Sequence, residues 1–225
     1  KVKGMDETLI KFLENIVYYA LMIIVLLTAL GKLGVETTSF LAILGAAGLA
    51  IGLALKDSLG NFASGVMIIM FKPFKVGDAV TAAGVTGNVS EVGIFNSVFI
   101  TADNQKIIVP NGAITSGSIT NINAYDTRRV DLVVCIGYED DIKKTKEVLN
   151  NIVSSHEKIL IDKGITIAVS ELADSSVNFV LRVWVKTPDY WDVKFDLTET
   201  IKLRFDEEGI SIPFPQQDVH HYNKI

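Results

Sequence analysis

Hydrophobic positions fall into three patterns along the chain. From Ile16 to Leu30 they run almost unbroken (IVYYALMIIVLLTAL), with Phe12 and Leu13 extending the run upstream. That length approaches the ~20 apolar residues that cross a bilayer, so the stretch predicts a membrane helix. Tyr18 and Tyr19 lie near one end, where amphipathic rings favour the headgroup level. From Ser39 to Phe71 the chain stays apolar, but Gly and Ala now recur at helical spacing. After Pro73 the apolar positions alternate over short segments broken by turns, and after Arg129 strand and helix periods alternate.

The second pattern carries the most information. At about 100° per residue, Leu49 and Leu53 fall together, with Lys56 and Gly60 near the same line. Gly45, Gly48 and Gly52 form one flank of this stripe, and Ala46, Ala50 and Ala54 form the other. Phe40, Leu44, Ile51, Leu55 and Phe62 lie opposite. Small faces let helix backbones approach closely, and packing is what holds helices together in lipid. Two different small flanks predict a head-to-tail contact that closes into a ring, with the Leu stripe on the axis. The competing reading is a tightly packed helix inside a transporter bundle. From Ser39 to Leu55 such a helix crosses about 26 Å, and the charges of Lys56 and Asp57 mark its limit. Gly60 and Gly65 weaken the helix beyond that point, which predicts a bend, and Pro73 ends it.

Between the two apolar runs, Gly31 to Ser39 reads as a turn with Thr37, Thr38 and Ser39 as candidate N-caps. Lys1, Lys3 and Lys11 precede the first helix, and Lys72 and Lys75 follow the second. The positive-inside bias then places both outer segments, and the large C-terminal part, in the cytoplasm. No cleavable signal-peptide pattern is present.

The segment Phe74 to Ile114 reads as a small β-domain with turns at Val76-Gly77-Asp78, Gly84, Gly87 and Asp103-Asn104. Val109-Pro110-Asn111-Gly112 has turn chemistry, Pro fixing φ and Asn-Gly accepting positive φ. A ligand-binding loop is the alternative for that turn. From Arg129 the order is strand (Val130 to Ile136), helix (Asp140 to His156), strand (Ile165 to Glu171), strand (Val177 to Lys186), helix (Tyr190 to Glu208) and strand (Ile210 to Phe214). This βαββαβ order predicts a ferredoxin-like unit. Glu139, Asp140 and Asp141 sit at a helix start, where carboxylates cap and complement the dipole rather than bind metal. Asp218 to Asn223 is expected to be extended. His220 and His221 are adjacent and so point to opposite faces, a poor arrangement for a metal.

Charge and composition narrow the function classes. The 225 residues carry a net charge of -5, and 49% are hydrophobic, concentrated before Phe71. An acidic balance argues against a nucleic-acid surface, which needs clustered Lys and Arg. Asp126, Arg128 and Arg129 form a charged cluster expected to serve an ion pair or interface, with an anion site as the alternative. Cys135 is the sole cysteine, so no internal disulfide forms, and its apolar surroundings predict a buried structural thiol. No nucleophile–base pair, phosphate-binding Gly loop or metal spacing is present, so neither an enzyme nor a cofactor is expected.

Three motifs in order carry a resemblance: Ala42 to Leu55 (AILGAAGLAIGLAL), Met70 to Asp78 (MFKPFKVGD) and Ile107 to Gly112 (IIVPNG). Together they resemble the small-conductance mechanosensitive channel family (MscS), over nearly the whole chain from about Leu9. The resemblance implies a membrane part (1–72) containing a pore-lining helix (39–71), preceded by one further transmembrane helix. It implies an Sm-like β-barrel (73–120), an α+β ferredoxin-like domain (121–214), and a C-terminal strand segment (215–225) at the oligomer base. It further implies a homoheptamer in a bacterial inner membrane, contacting lipid and opening under hypo-osmotic shock to release ions and small solutes. Leu49 and Leu53 are then the pore gate. The family usually has Gly, linked to a kink, at the position of Asp57, so the hinge is expected at Gly60, with Gly65 as a second flexible point. A ligand-gated channel of the same architecture remains open, as does a membrane-anchored Sm-like scaffold binding RNA, though the acidic charge opposes the latter. A secondary transporter lacks its internal repeat.

Overall fold

The computed structural model describes residues 7–222. Lys1, Lys3 and Asn223, which entered the topology and tail expectations, lie outside them. Helix α1 (Glu7–Lys32) is followed by a turn in which Gly34 takes φ +86. Helix α2 (Thr38–Ala54) then begins with Thr37 at the N-cap position, but without a side-chain capping bond. Helix α3 (Lys56–Phe71) continues from it at an angle of 58°. By length and composition α1 can cross a membrane, and α2 with α3 passes the same test as one broken span.

The expected single helix over 39–71 is therefore two. Its bend lies at Leu55 (φ -93, ψ 0), not at Gly60. Leu55 N–H still bonds Ile51 O at 2.9 Å, and Leu59 N–H bonds Leu55 O at 2.9 Å, so the chain turns without losing its helical sense. The break falls where the apolar run gives way to Lys56 and Asp57, and Asp57 meets the positive end of the α3 dipole. Gly60 stays inside α3 with open space around it. Helix interiors accept Gly at a cost of about 1 kcal/mol, so a glycine need not bend one. Lys72, left-handed at φ 49, and Pro73 end α3.

Next comes an antiparallel sheet of β1 (Ala79–Ala82), β2 (Val85–Val92), β3 (Asn96–Ile100), β4 (Lys106–Pro110) and β5 (Thr120–Asn121). Its order is β4-β3-β2-β1-β5, with a bulge between Val89 and Glu91 that bends β2. Helix α4 (Asn111–Thr115) occupies the Asn-Gly site. The expected turn is thus a helix start: Pro110 is its N-cap, and neither Asn111 nor Gly112 has positive φ. The core of this unit joins Phe74, Val80, Val89, Phe99, Val109 and Ile114 to Ile68 of α3.

The last unit has β6 (Thr127–Ile136), α5 (Ile142–Ser155), β7 (Thr166–Leu172), β8 (Val177–Lys186) and α6 (Tyr190–Glu208). Its sheet order is β6-β8-β7, covered by both helices around a core that includes Leu149, Phe179, Leu181, Leu197 and Phe205. Asp141 caps α5, accepting from Lys143 N at 2.7 Å and Lys144 N at 3.2 Å. Asp140 accepts from Gly137 N (2.8 Å), Ser211 N (3.0 Å) and Ser211 Oγ (2.6 Å), tying the chain after α6 to the start of α5.

Two expectations for this unit fail. Ile210 to Phe214 forms no strand, because Pro213 and Pro215 have no N–H to donate to a ladder. Cys135 is half-buried rather than buried, beside a groove that Leu132, Ile201 and Ile212 also line.

Candidate functional site

Helix α2 has no buried residue. Leu49 and Leu53 are 66% and 65% exposed, on one side of the helix. A Cβ placed on Gly45, Gly48 or Gly52 would meet no atom within 4 Å. Ala46, Ala50 and Ala54 are equally uncovered. Among the described residues of one chain, the Leu stripe and both small flanks are therefore left uncovered. On the opposite side Phe40 and Leu44, joined by Ile43, line an apolar groove of about 320 Å³ with Tyr19, Met22 and Leu26 of α1.

Helix α3 is anchored differently. Its Ile68 is 2% exposed in the core of the five-stranded unit. A Cβ on Gly65 would stand 2.2 Å from Ile94 O and 2.5 Å from Asn111 Nδ2, so only glycine permits this approach. Gly65 is thus a packing contact in this structure. Gly112 N–H donates to Asn61 Oδ1 at 2.8 Å, and Thr115 Oγ1 donates to Ser64 Oγ at 2.8 Å. Fully buried Asn111 completes the joint: its Nδ2 donates to Gly93 O (2.9 Å) and Ile94 O (3.1 Å), and its Oδ1 accepts from Ser97 Oγ (2.8 Å). A buried amide with every partner supplied fixes one geometry, since losing a partner is costly. The other face of α3, with Leu59, Phe62, Val66, Ile69 and Met70, remains exposed.

Asn61, Ser64 and Thr115 were not singled out from sequence, and Asn111 was read only as part of a turn or ligand-binding loop. Asn61 and Ser64 did leave a signal, two short polar residues three apart on an apolar helix. The charged cluster resolves into separate contacts. Arg129 Nε meets Asp131 Oδ1 at 2.7 Å, with Arg182 across the β6/β8 pair, while the Arg128 guanidinium lies 3.8 Å over the Tyr190 ring. The Arg129 hydrogen bond, aided by the charge of Arg182, holds the Asp131 carboxyl below its usual range. Among the described residues, no group of three or more His, Cys, Asp or Glu is placed to hold a metal ion.

Known proteins match this chain throughout. A family model for mechanosensitive ion channels, transmembrane helices 2/3, matches residues 15–56. A mechanosensitive ion channel beta-domain model matches 57–124, and a model for the C-terminal part of mechanosensitive ion channel MscS matches 130–212. The border between the first two models, at 56/57, falls just past the break at Leu55 between α2 and α3. A small-conductance mechanosensitive channel of Edwardsiella ictaluri is 49% identical over 225 residues, 100% of this chain and 79% of that relative. A small-conductance mechanosensitive channel of Helicobacter pylori is 34% identical over 215 residues, 95% of this chain and 78% of its own. The crystal structure of Helicobacter pylori MscS in a closed state aligns with a TM-score of 0.90 at 33% identity, covering 99% of this chain and 88% of that one. With membrane helices, β-unit and C-terminal unit all matched in order, this chain belongs to the MscS family of mechanosensitive ion channels.

Proposed function

We propose that the chain is one subunit of a mechanosensitive channel of small conductance, opened by membrane tension to release ions and small solutes during hypo-osmotic shock. The observation that carries the reading is α2: its Leu stripe and two small flanks are exposed and unpartnered in one chain. Copies arranged head to tail cover both flanks and turn Leu49 and Leu53 toward a shared axis. Rings of these leucines form a hydrophobic constriction that closes by dewetting. Tension favours the state with the larger membrane area, so separating the helices widens and wets the ring. Gly45, Gly48, Gly52, Ala46, Ala50 and Ala54 give neighbours surfaces that slide with little steric resistance.

The assembly is read as a homoheptamer in a bacterial inner membrane, in contact with lipid, with α1 and α2 spanning and the sheet-rich units in the cytoplasm. The five-stranded unit is read as an Sm-like barrel, and the βαββα unit as a ferredoxin-like domain lacking its last strand. The segment from residue 215 is placed at the oligomer base. Asp57, Gly60 and Gly65 are read as the region that changes conformation on opening, with the resting bend at Leu55 as its fixed point.

Patch-clamp of the protein in plain lipid bilayers, under stepped suction and without ligand, tests the reading. Reproducible tension-dependent openings are expected, and Leu53→Ser should open at lower tension because a hydroxyl hydrates the constriction. An unchanged threshold in Leu53→Ser removes Leu53 from the gate. Silence up to membrane rupture overturns tension gating and turns attention to a ligand acting on the sheet-rich units.

A further inference from the structure

Lys56 and Asp57 are the first charges after the apolar run, at the corner where α2 passes into α3. Neither has an ion-pair partner among the described residues, and both are exposed. They cannot serve each other, because adjacent residues on a helix point about 100° apart. Two opposite charges left unpaired at the edge of a membrane span need a partner or water.

Their angular positions name the partner. Helical sense persists through Leu55, since the Leu55→Ile51 and Leu59→Leu55 bonds are both kept. Carried one and two residues past Leu55 at the α2 spacing, Lys56 falls roughly 20° from Leu49 on the side of Gly45, Gly48 and Gly52, and Asp57 roughly 80° on the side of Ala46, Ala50 and Ala54; both stand at the corner of the 58° bend, before α3 has led away from α2. A head-to-tail contact that seats the Gly flank of one copy on the Ala flank of the next thus brings Lys56 of the first toward Asp57 of the second. We propose that Lys56 and Asp57 form a ring of ion pairs between neighbouring copies at the α3 end of the pore helices. Each copy gives one cation to one neighbour and one anion to the other, so the ring has no free charge and a single direction.

This inference rests on the ring reading of α2 and adds a function to it. Closed copies keep the pairs; helices that separate under tension stretch or break them. The ring therefore holds the pore shut and sets part of the opening tension. The pairs also neutralise the mouth of the pore, so removing one partner leaves a ring of like charge facing permeating ions.

Two experiments on the full-length protein in membranes test it. First, in a Cys135→Ser background, Lys56→Cys and Asp57→Cys are made singly and together, oxidised, and run on a non-reducing gel. One cysteine per copy gives nothing larger than a dimer, whereas the double variant is expected to give a ladder of covalent oligomers. A double variant that stops at dimers overturns the proposal. Second, Lys56→Gln and Asp57→Asn are expected to open at lower tension, and the exchange Lys56→Asp with Asp57→Lys to restore it. Each lost exposed pair shifts the closed-to-open equilibrium about twofold, multiplied around the ring. Lys56→Gln should also move the reversal potential toward cations, and Asp57→Asn toward anions. An exchange variant that opens as easily as the single variants overturns the pairing while leaving the tension-gated channel standing. Absence of tension-gated current in the parent protein instead counts against the channel reading itself.

Discussion

Helix α2 and strand β8 are both rich in large and small apolar residues, yet they end in opposite surroundings. In β8, Val177, Phe179, Leu181, Val183 and Val185 are all 3% exposed or less, enclosed by β6, β7, α5 and α6. In α2 none of 17 residues is buried. The difference is not hydrophobicity but where the covering surface comes from. Alternation in β8 sends large side chains to one face, and one chain supplies enough helix to cover it. Gly and Ala on α2 offer little area to bury, and their use is close backbone approach to something the chain does not contain. One region is complete as a single chain; the other is a part.

Four changes separate the two regions, from the largest effect to the smallest. Gly48→Leu should abolish tension-gated current by blocking the neighbour's approach, while heat unfolding of the sheet-rich units stays within about 0.5 kcal/mol. Normal gating in that variant would break the comparison from the α2 side. Phe179→Ala should do the reverse, destabilising the C-terminal unit by about 3–5 kcal/mol, read by denaturant unfolding. At the joint between regions, Gly65→Val places methyl groups against the Ile94 carbonyl and should cost about 1–3 kcal/mol. Faster hydrogen exchange across α3 and α4 is the measurement, and unchanged protection would show that the joint tolerates the volume.

The smallest effect is acid sensitivity at the β6/β8 edge. Arg129 lowers the Asp131 pKa in the fold, so this carboxylate adds stability above its unfolded value of about 3.9. That contribution is lost as pH falls through the lower folded value. Arg129→Leu should therefore melt slightly lower at neutral pH, and the difference from the parent should shrink below about pH 4. The pair is nearly half exposed, so solvent keeps the effect small. A difference that persists unchanged in strong acid would assign it to lost packing by the arginine stem.

Some of this was legible residue by residue. The bounds of β8 and α6 match their sequence patterns at both ends, since alternation is clear over Val177–Lys186 and Gly209 supplies a left-handed stop after Glu208. The stripes of α2 were equally legible, because helical spacing fixes which residues share a side. The missing fourth strand was legible in principle: Pro213 lies within it and Pro215 directly after it, and each removes a donor. The bend at Leu55 was not. Gly60 and Gly65 offered weaker points nearby, and the choice among them came from contacts remote in sequence. Ile68 and Gly65 are held against β3, β4 and α4, so α3 must leave α2 before it reaches them.

By itself the sequence determined the spans of β8 and α6, which residues share a face, and that α2 has two dissimilar small flanks beside a Leu stripe. These follow from local periodicity, which needs no knowledge of distant residues. Only the tertiary structure decided where the α2–α3 break falls, that Asn-Gly starts a helix, and that Gly65 is a close-packed contact. Those outcomes depend on buried surfaces and hydrogen bonds between residues about 30 to 50 positions apart, such as Asn61 with Gly112 and Ser64 with Thr115. Periodicity along a chain carries no information about such pairings; they exist only once the sheet has formed and α3 has been laid across it.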